Sequence, residues 1–316
     1  MADRSALKWM RPFLLVIVVV AALLTPAGSL GAGFSAANID FLGRGGSLQG
    51  LTARPGEIDN VVWNPSGLAY FRSAKGLGFA GYMDYLVGFR GGAAGYMGSA
   101  GRLGYGSYIQ YLSSTSLTVT SWDDPTGGRG ESFSSAEMVV GVSCGAKILP
   151  VLALGGGLKL AREAIDDETA EGALADLSGT LSLGAHTYVG IVGRNLALGL
   201  WSADLGKPPT NVEAALAVVL AEGRTSAGLS LGFARAGRRE ARLGISALLS
   251  DDFEARFGYG RRIGIASDSA YGFTWARGLT AGFGIWLGRF WIDYTYEDAS
   301  PLDGIHRFAV RAAAGR

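Results

Sequence analysis

The chain has 316 residues, 17% of them charged, with a formal net charge of +1 and a mean hydropathy of +0.24. That length holds one large domain or two ordinary ones, and the even charge balance excludes a nucleic-acid or polybasic membrane surface. One cysteine, Cys144, excludes an intramolecular disulfide framework, and the 50 glycines are about twice the average usage.

Arg4, Lys8 and Arg11 form a basic lead, and 13–24 is a continuous apolar run followed by Pro26 and small residues. The pattern predicts a secretory signal peptide over 1–32, with Ala32 the last residue before cleavage. The run is too short for a spanning helix, and no later stretch approaches the ~18 apolar residues that a membrane helix requires. Removing 1–32 takes away three positive charges and one negative, so the exported chain carries +1 − 3 + 1 = −1.

From 33 to 60 the chain shows no strand alternation; it is rich in Gly, Ala and Ser, with charges at Asp40, Arg44, Arg54, Glu57 and Asp59. The segment 61–71 follows, centred on Asn64-Pro65-Ser66-Gly67-Leu68-Ala69. Pro65 fixes its own backbone and extends Asn64, Gly67 permits a sharp turn, and Leu68 offers an apolar anchor. Residues 33–71 are therefore expected to be a plug and joint, and 72–316 a β-barrel.

Beyond the joint, large residues alternate with small or polar ones. Leu77, Phe79, Met83 and Tyr85 share one face, as do Leu103, Tyr105, Ile109 and Tyr111. Leu154, Leu158 and Leu160 oppose Gly155, Gly157 and Lys159; Leu177 and Leu181 oppose Asp176, Ser178 and Thr180. Leu243 and Ile245 oppose Arg242 and Gly244; Phe257 opposes Arg256; Ile292 and Tyr294 oppose Asp293. About fourteen such strands predict an all-β fold, a transmembrane outer-membrane barrel of antiparallel strands with an N-terminal plug. Hydrophobicity spread evenly, with a second face of Gly, Ser, Thr and isolated charges, suits a wet or plugged lumen. Trp201, Trp286 and Tyr296 stand toward strand ends, where interfacial aromatics sit. Long connections are expected at 114–131, 164–174, 200–210 and 265–275, with short turns elsewhere.

The candidate chemistry is sparse. His186 and His306 have no Ser or acidic partner at a motif spacing, so no triad or metal site is expected. Gly258-x-Gly260 and Gly282-x-Gly284 lie inside strands and are strand glycines rather than a dinucleotide fingerprint. The acids at 166–171 fit no EF-hand. No cofactor and no enzyme activity are expected. Lys159, Asp176, Arg242, Arg256 and Asp293 are expected to face the lumen, pairing with one another or with the plug. Large apolar residues on that face are expected to be few, with Tyr108, Trp286 and Trp291 the exceptions.

These motifs, in this order, resemble the PorV/PorQ-like outer-membrane proteins, which belong with the FadL-type barrels. The family's Asn-Pro-Ala-Gly-Leu-Ala stands here as 64–69, with Ser66 in place of its alanine. Gly155-Gly156-Gly157-Leu158-Lys159, Ala175-Asp176-Leu177, Arg194-Asn195-Leu196 and Pro209 to Ala215 resemble successive strand motifs. Asp293-Tyr294-Thr295-Tyr296 with His306-Arg307 resembles the closing hairpin. The chain departs from the family in its end, Ala312-Ala313-Ala314-Gly315-Arg316, where a terminal aromatic is usual. The resemblance implies a fourteen-stranded barrel in the outer membrane of a diderm bacterium, among outer-membrane lipids, and two functions. One is passage of small hydrophobic molecules; the alternative is a component of type IX secretion machinery that binds exported cargo.

Overall fold

A strand whose residues alternate in size and polarity has two unlike faces, and a sheet that closes on itself turns one of them inward. The computed structural model describes residues 36–42, 53–73, 76–120, 122–202, 210–234, 239–263, 278–299 and 304–313. The first strands are β1 (Leu77–Asp84), β2 (Phe89–Ala100) and β3 (Leu103–Ser114). Two short strands, β4 (Leu117–Thr118) and β5 (Ser132–Phe133), form a separate hairpin. The chain continues through β6 (Ser135–Leu149), β7 (Leu152–Ile165), β8 (Glu168–Ser182) and β9 (Thr187–Ser202). Then come β10 (Asn211–Leu220), β11 (Thr225–Ala234), β12 (Arg239–Ser250) and β13 (Phe253–Ile263). Last are β14 (Leu279–Leu287), β15 (Phe290–Asp298) and β16 (Gly304–Ala313). All except β4 and β5 form one closed antiparallel barrel of fourteen strands, sealed where β1 pairs with β16 from Leu77 opposite Ala313 to Asp84 opposite His306.

The outer face is apolar: Leu154, Leu158, Leu160, Leu177, Leu243, Phe257 and Phe308 are all exposed. On β7 this set begins at Leu152 and ends ten residues on at the outward Arg162, which pairs with Glu171 of β8 at 3.3 Å. At ~3.3 Å per residue and a tilt of ~45°, that run spans roughly 24 Å, the height of an outer-membrane hydrocarbon band. Closure satisfies the ladder groups that lipid cannot. Among the described residues no helix is long and apolar enough to cross a membrane; this chain crosses with strands. It is an outer-membrane β-barrel.

The two rims differ. Where β1 starts and β16 ends, strands join through two residues at 101–102, 150–151, 251–252 and 288–289, or four at 183–186 and 221–224. The opposite rim carries longer connections, among them 115–134, and is the extracellular one. One expected loop is absent. Residues 164–174 continue β7 and β8 as a hairpin whose turn is Asp166-Asp167 alone, with Asp166 at φ 51°. Of the acids read as a loop, Asp166 and Asp167 form the turn and Glu168 and Glu171 stand on the end of β8, which rises beyond the lipid band, where water solvates them. The segments 1–32, 203–209 and 265–275 lie outside the described residues.

Residues 36–42 and 53–71 lie inside the barrel. Their apolar side chains (Phe41, Ile58, Val61 and Leu68 among them) are buried with Phe79, Met83, Met97 and Leu112 of the wall. The apolar face of β1 accordingly turns inward, with Phe79 and Met83 buried and Tyr82 exposed. An apolar internal segment needs apolar wall to pack on, and β1 supplies it.

Candidate functional site: the lumen

The motif at 64–69 is a buried 3-10 segment, Pro65–Tyr70, laid against the inner faces of β3, β6, β7 and β8. Pro65 takes the first helical position, where its missing N–H costs nothing. Gly67 is required by sterics, because a Cβ there would collide with the Asn60 side chain. That side chain is itself fixed, accepting from Glu57 N at 3.0 Å and donating to the Arg54 carbonyl at 3.2 Å. Leu68 is fully buried. Gly104, Gly145 and Gly155 of the wall lie directly against the backbone of Leu68, Pro65 and the Pro65–Ser66 peptide. Strand glycines weaken a ladder, and here they let one backbone lie on another.

Polar groups fix the orientation. Asn64 Nδ2 donates to Thr180 Oγ1 at 3.2 Å, Ser66 N donates to Ser178 Oγ at 2.8 Å, and Ser66 Oγ donates to Asn64 Oδ1 at 2.6 Å. The Ser66 and Thr180 hydroxyls also bond, at 2.7 Å. Ser66 thus joins the segment to β8 through both its backbone N–H and its hydroxyl. Ser143 Oγ donates to the Val61 carbonyl at 2.7 Å, one strand pair away.

The other predicted lumen residues fall into two ion clusters. Lys159 and Asp176 pair at 2.6 Å, each almost wholly buried. Lys159 Nζ donates to Asn195 Oδ1 at 2.9 Å, and Asp176 accepts from Asn195 N at 2.9 Å. A bulge makes this possible: Leu177 pairs with Gly193 and Ala175 with Leu196, so Arg194 and Asn195 both stand opposite Asp176. Asn195 adopts φ 57°, a left-handed conformation that asparagine tolerates. Arg194 then reaches Glu213 at 3.1 Å and lies over the Trp63 ring at 4.2 Å. Arg242 meets Glu213 at 3.7 Å and Glu240 at 2.7 Å.

The second cluster centres on Asp293, which Arg256 contacts at 2.5 Å, Arg311 at 2.8 Å and the Trp291 indole at 3.0 Å. Trp286 lies beside Trp291 on the inner face at the short-turn mouth, the rings tilted at 52° with centroids 5.9 Å apart, while Tyr296 faces outward. Arg194, Asn195 and Glu213 stood in the sequence only within strand motifs and were not among the expected lumen residues, although a charged pair inside an apolar alternating strand is a usable signal. His306 meets the Tyr294 hydroxyl at 2.9 Å. No cluster of metal-ligating side chains occurs among the described residues.

The expectation of few large apolar residues on the inner face is corrected. Leu112, Val139, Ala161 and Leu174 line β3, β6, β7 and β8 inward in the extracellular half, and Met83 and Ile305 do so on β1 and β16. Ala36, Ala37, Ile39 and Phe41 pack against them. This apolar arc escaped notice because 164–174 was taken for a loop, and because single apolar residues near strand ends interrupt an otherwise polar face.

No protein family matches the chain, and no curated protein matches it. Solved structures do. The toluene transporter TodX of Pseudomonas putida aligns over 86% of this chain and 96% of its own, at 12% identity and a TM-score of 0.58. A FadL homologue of Pseudomonas aeruginosa aligns over 88% and 99%, at 10% identity and a TM-score of 0.61. At these identities the likeness is one of fold: the chain has the architecture of FadL-type outer-membrane barrels. Both matched proteins are membrane barrels and neither is described as an enzyme. The PorV/PorQ likeness rests on the sequence motifs alone.

Proposed function

We propose that this protein passes small hydrophobic molecules across the outer membrane, with residues 33–71 as the plug that the molecule must get past. The observation that supports this most is the apolar arc of Leu112, Val139, Ala161 and Leu174 beneath the extracellular rim. Such molecules are held chiefly by apolar walls with a few polar groups to orient them. Ala36, Ala37, Ile39 and Phe41 of the inner segment pack on that arc, so a hydrophobic molecule takes their place on it as it gets past the plug. Similarity of fold to a toluene transporter adds to the reading. The secretion alternative has no comparable observation behind it.

The test is uptake of radiolabelled toluene and of a long-chain fatty acid by cells expressing the protein in place of their own hydrophobic channels. Uptake above that of cells carrying an empty vector is expected. Leu174→Asp, which puts a charge on the arc, is expected to abolish it while the barrel stays folded on an unboiled gel. Uptake no higher than the vector control overturns the proposal.

A further inference from the structure

The inner face of β11 to β14 is built unlike the apolar arc. Leu229 and Leu231 of β11 point outward, and the inward positions from 226 to 232 read Ser, Gly, Ser, Gly, about 20 Å of strand without an apolar side chain. Gly228 pairs with Gly244 of β12, Gly244 with Gly258 of β13, and Gly258 with Thr280 of β14. Three glycines therefore stand abreast and floor a trough in the wall. Ser226, Ser246 and Arg256, which also pair in a row, flank it on the periplasmic side, and Ser230 flanks it on the other. The helical turns of the inner segment pack on β3, β6, β7 and β8, a different sector of the barrel.

The polar groups along this trough are unserved. The hydroxyls of Ser226, Ser230 and Thr280 and the Nε–H of Arg256 have no hydrogen-bond partner among the described residues, and each of the four residues is at most 1% exposed. On the first wall such hydroxyls are paired, Thr180 with Ser66 and Ser143 with the Val61 carbonyl. A buried hydroxyl without a partner costs free energy, and alanine at the same positions would avoid that cost. A glycine floor with donors and acceptors on its flanks suits something small that both gives and takes hydrogen bonds. The charges beside it are engaged with one another, Arg256 with Asp293 and Arg242 with Glu240, and a passing ion would have to compete with those pairs.

We propose that this face carries water and small neutral hydrogen-bonding solutes, of which urea is the type, through the barrel on a route separate from the apolar arc. The hydroxyls and the Arg256 N–H replace the solute's water shell step by step, as the donors and acceptors lining a selective pore do. The glycine row leaves the width that the solute needs. Leu112, Val139, Ala161 and Leu174 take no part in this route, so it does not depend on what the arc carries.

Stopped-flow light scattering of proteoliposomes holding the full barrel tests this with urea and, as a larger neutral probe, sucrose. Urea is expected to enter at least fivefold faster than into protein-free liposomes, and sucrose no faster than into those liposomes. Ser226→Val/Ser230→Val/Thr280→Val removes the hydroxyls, and Gly244→Leu fills the glycine row; each should bring urea entry down to the protein-free rate. Losing unserved hydroxyls does not threaten the fold, and unboiled gel migration confirms that each variant is folded. Leu174→Asp should keep the wild-type urea rate, and the triple valine variant should keep toluene uptake in cells, so that the two routes fail separately. Urea entry into wild-type proteoliposomes no faster than into protein-free ones overturns the proposal. Wild-type speed in either folded variant does so too, because the unserved hydroxyls would then be only a cost of the fold. Sucrose entry as fast as that of urea also overturns it, because the barrel would then be a general pore.

Discussion

The wall made by β3 and β6 to β9 and the wall made by β10 to β16 come from the same alternation, yet their inner faces do different work. In the first, glycines at 104, 145 and 155 let the Pro65–Tyr70 backbone lie directly on the strands. In the second, the hydrogen bonds to the inner segment run through polar side chains, among them Asn211 Nδ2 donating to Asn38 Oδ1 at 2.5 Å. Arg54 reaches Ser246 at 3.3 Å, and Arg307 donates to the Asp40 carbonyl at 2.8 Å. A strand glycine forfeits ~0.5–1 kcal/mol relative to alanine, which close backbone approach can offset only where something approaches. A small polar face therefore does two things at once: on β3, β6 and β7 its glycines dock backbone, and on both walls its charges pair inside the barrel.

Matched substitutions break the comparison most sharply. A side chain at Gly155 would overlap the Pro65–Ser66 backbone, whereas at Gly232 on β11 a Cβ meets nothing nearer than the Glu240 carbonyl oxygen at 3.9 Å. Gly155→Val is expected to dislodge the inner segment and raise single-channel conductance in planar bilayers several-fold. Gly232→Val should leave conductance near wild type. Both variants should still migrate as folded barrels when unboiled. Equal conductance in the two would mean that the glycine dock does not hold the segment.

Charge sharpens the comparison next. Lys159 and Asp176 are a buried pair, and removing one partner strands the other, at a cost of about 3–5 kcal/mol. Lys159→Met should lower the unfolding midpoint in denaturant accordingly, while Lys159→Met with Asp176→Leu should recover most of the loss. Recovery will be incomplete, since Asp176 also accepts from Asn195 N. If the double variant is as unstable as the single one, the pair contributes through the bulge and not through its charges.

What could be read beforehand follows the same division. Strand alternation needs only local residues, so the barrel, its strand number and the inward positions of Lys159, Asp176, Arg256 and Asp293 were legible. Partners were not. Nothing local says that Lys159 meets Asn195, 36 residues away, because that contact needs a bulge whose two residues share one opposite neighbour. The acids from 166 to 171 misled for a physical reason: on strands that rise above the lipid, charge and alternation coexist, and composition alone then resembles a loop. Phe79 and Met83 misled in the opposite way, since a greasy face points to lipid only when the lumen holds nothing greasy.

The smallest effect belongs to the extracellular loop between β3 and β6, above the first wall. Asp124 accepts from the backbone N–H groups of Gly128 and Arg129, both at 2.9 Å, and these bonds hold its carboxyl below the usual range. A pKa lowered by folding contributes order that is complete above the unfolded value of ~3.9 and fades as pH falls through the lowered one. The group is fully exposed, so water weakens the effect and only the loop should respond. Amide hydrogen exchange at Gly128 and Arg129 is expected to speed up in strongly acid buffer, after correction for intrinsic rates. Asp124→Ala should show the same fast exchange already at neutral pH. Amides of β6 such as Val139, whose strand is flanked by β3 and β7, should not change. If protection at Gly128 survives both the acid and the alanine, the turn is held by its own glycines at 127 and 130, each at positive φ, and not by the carboxylate.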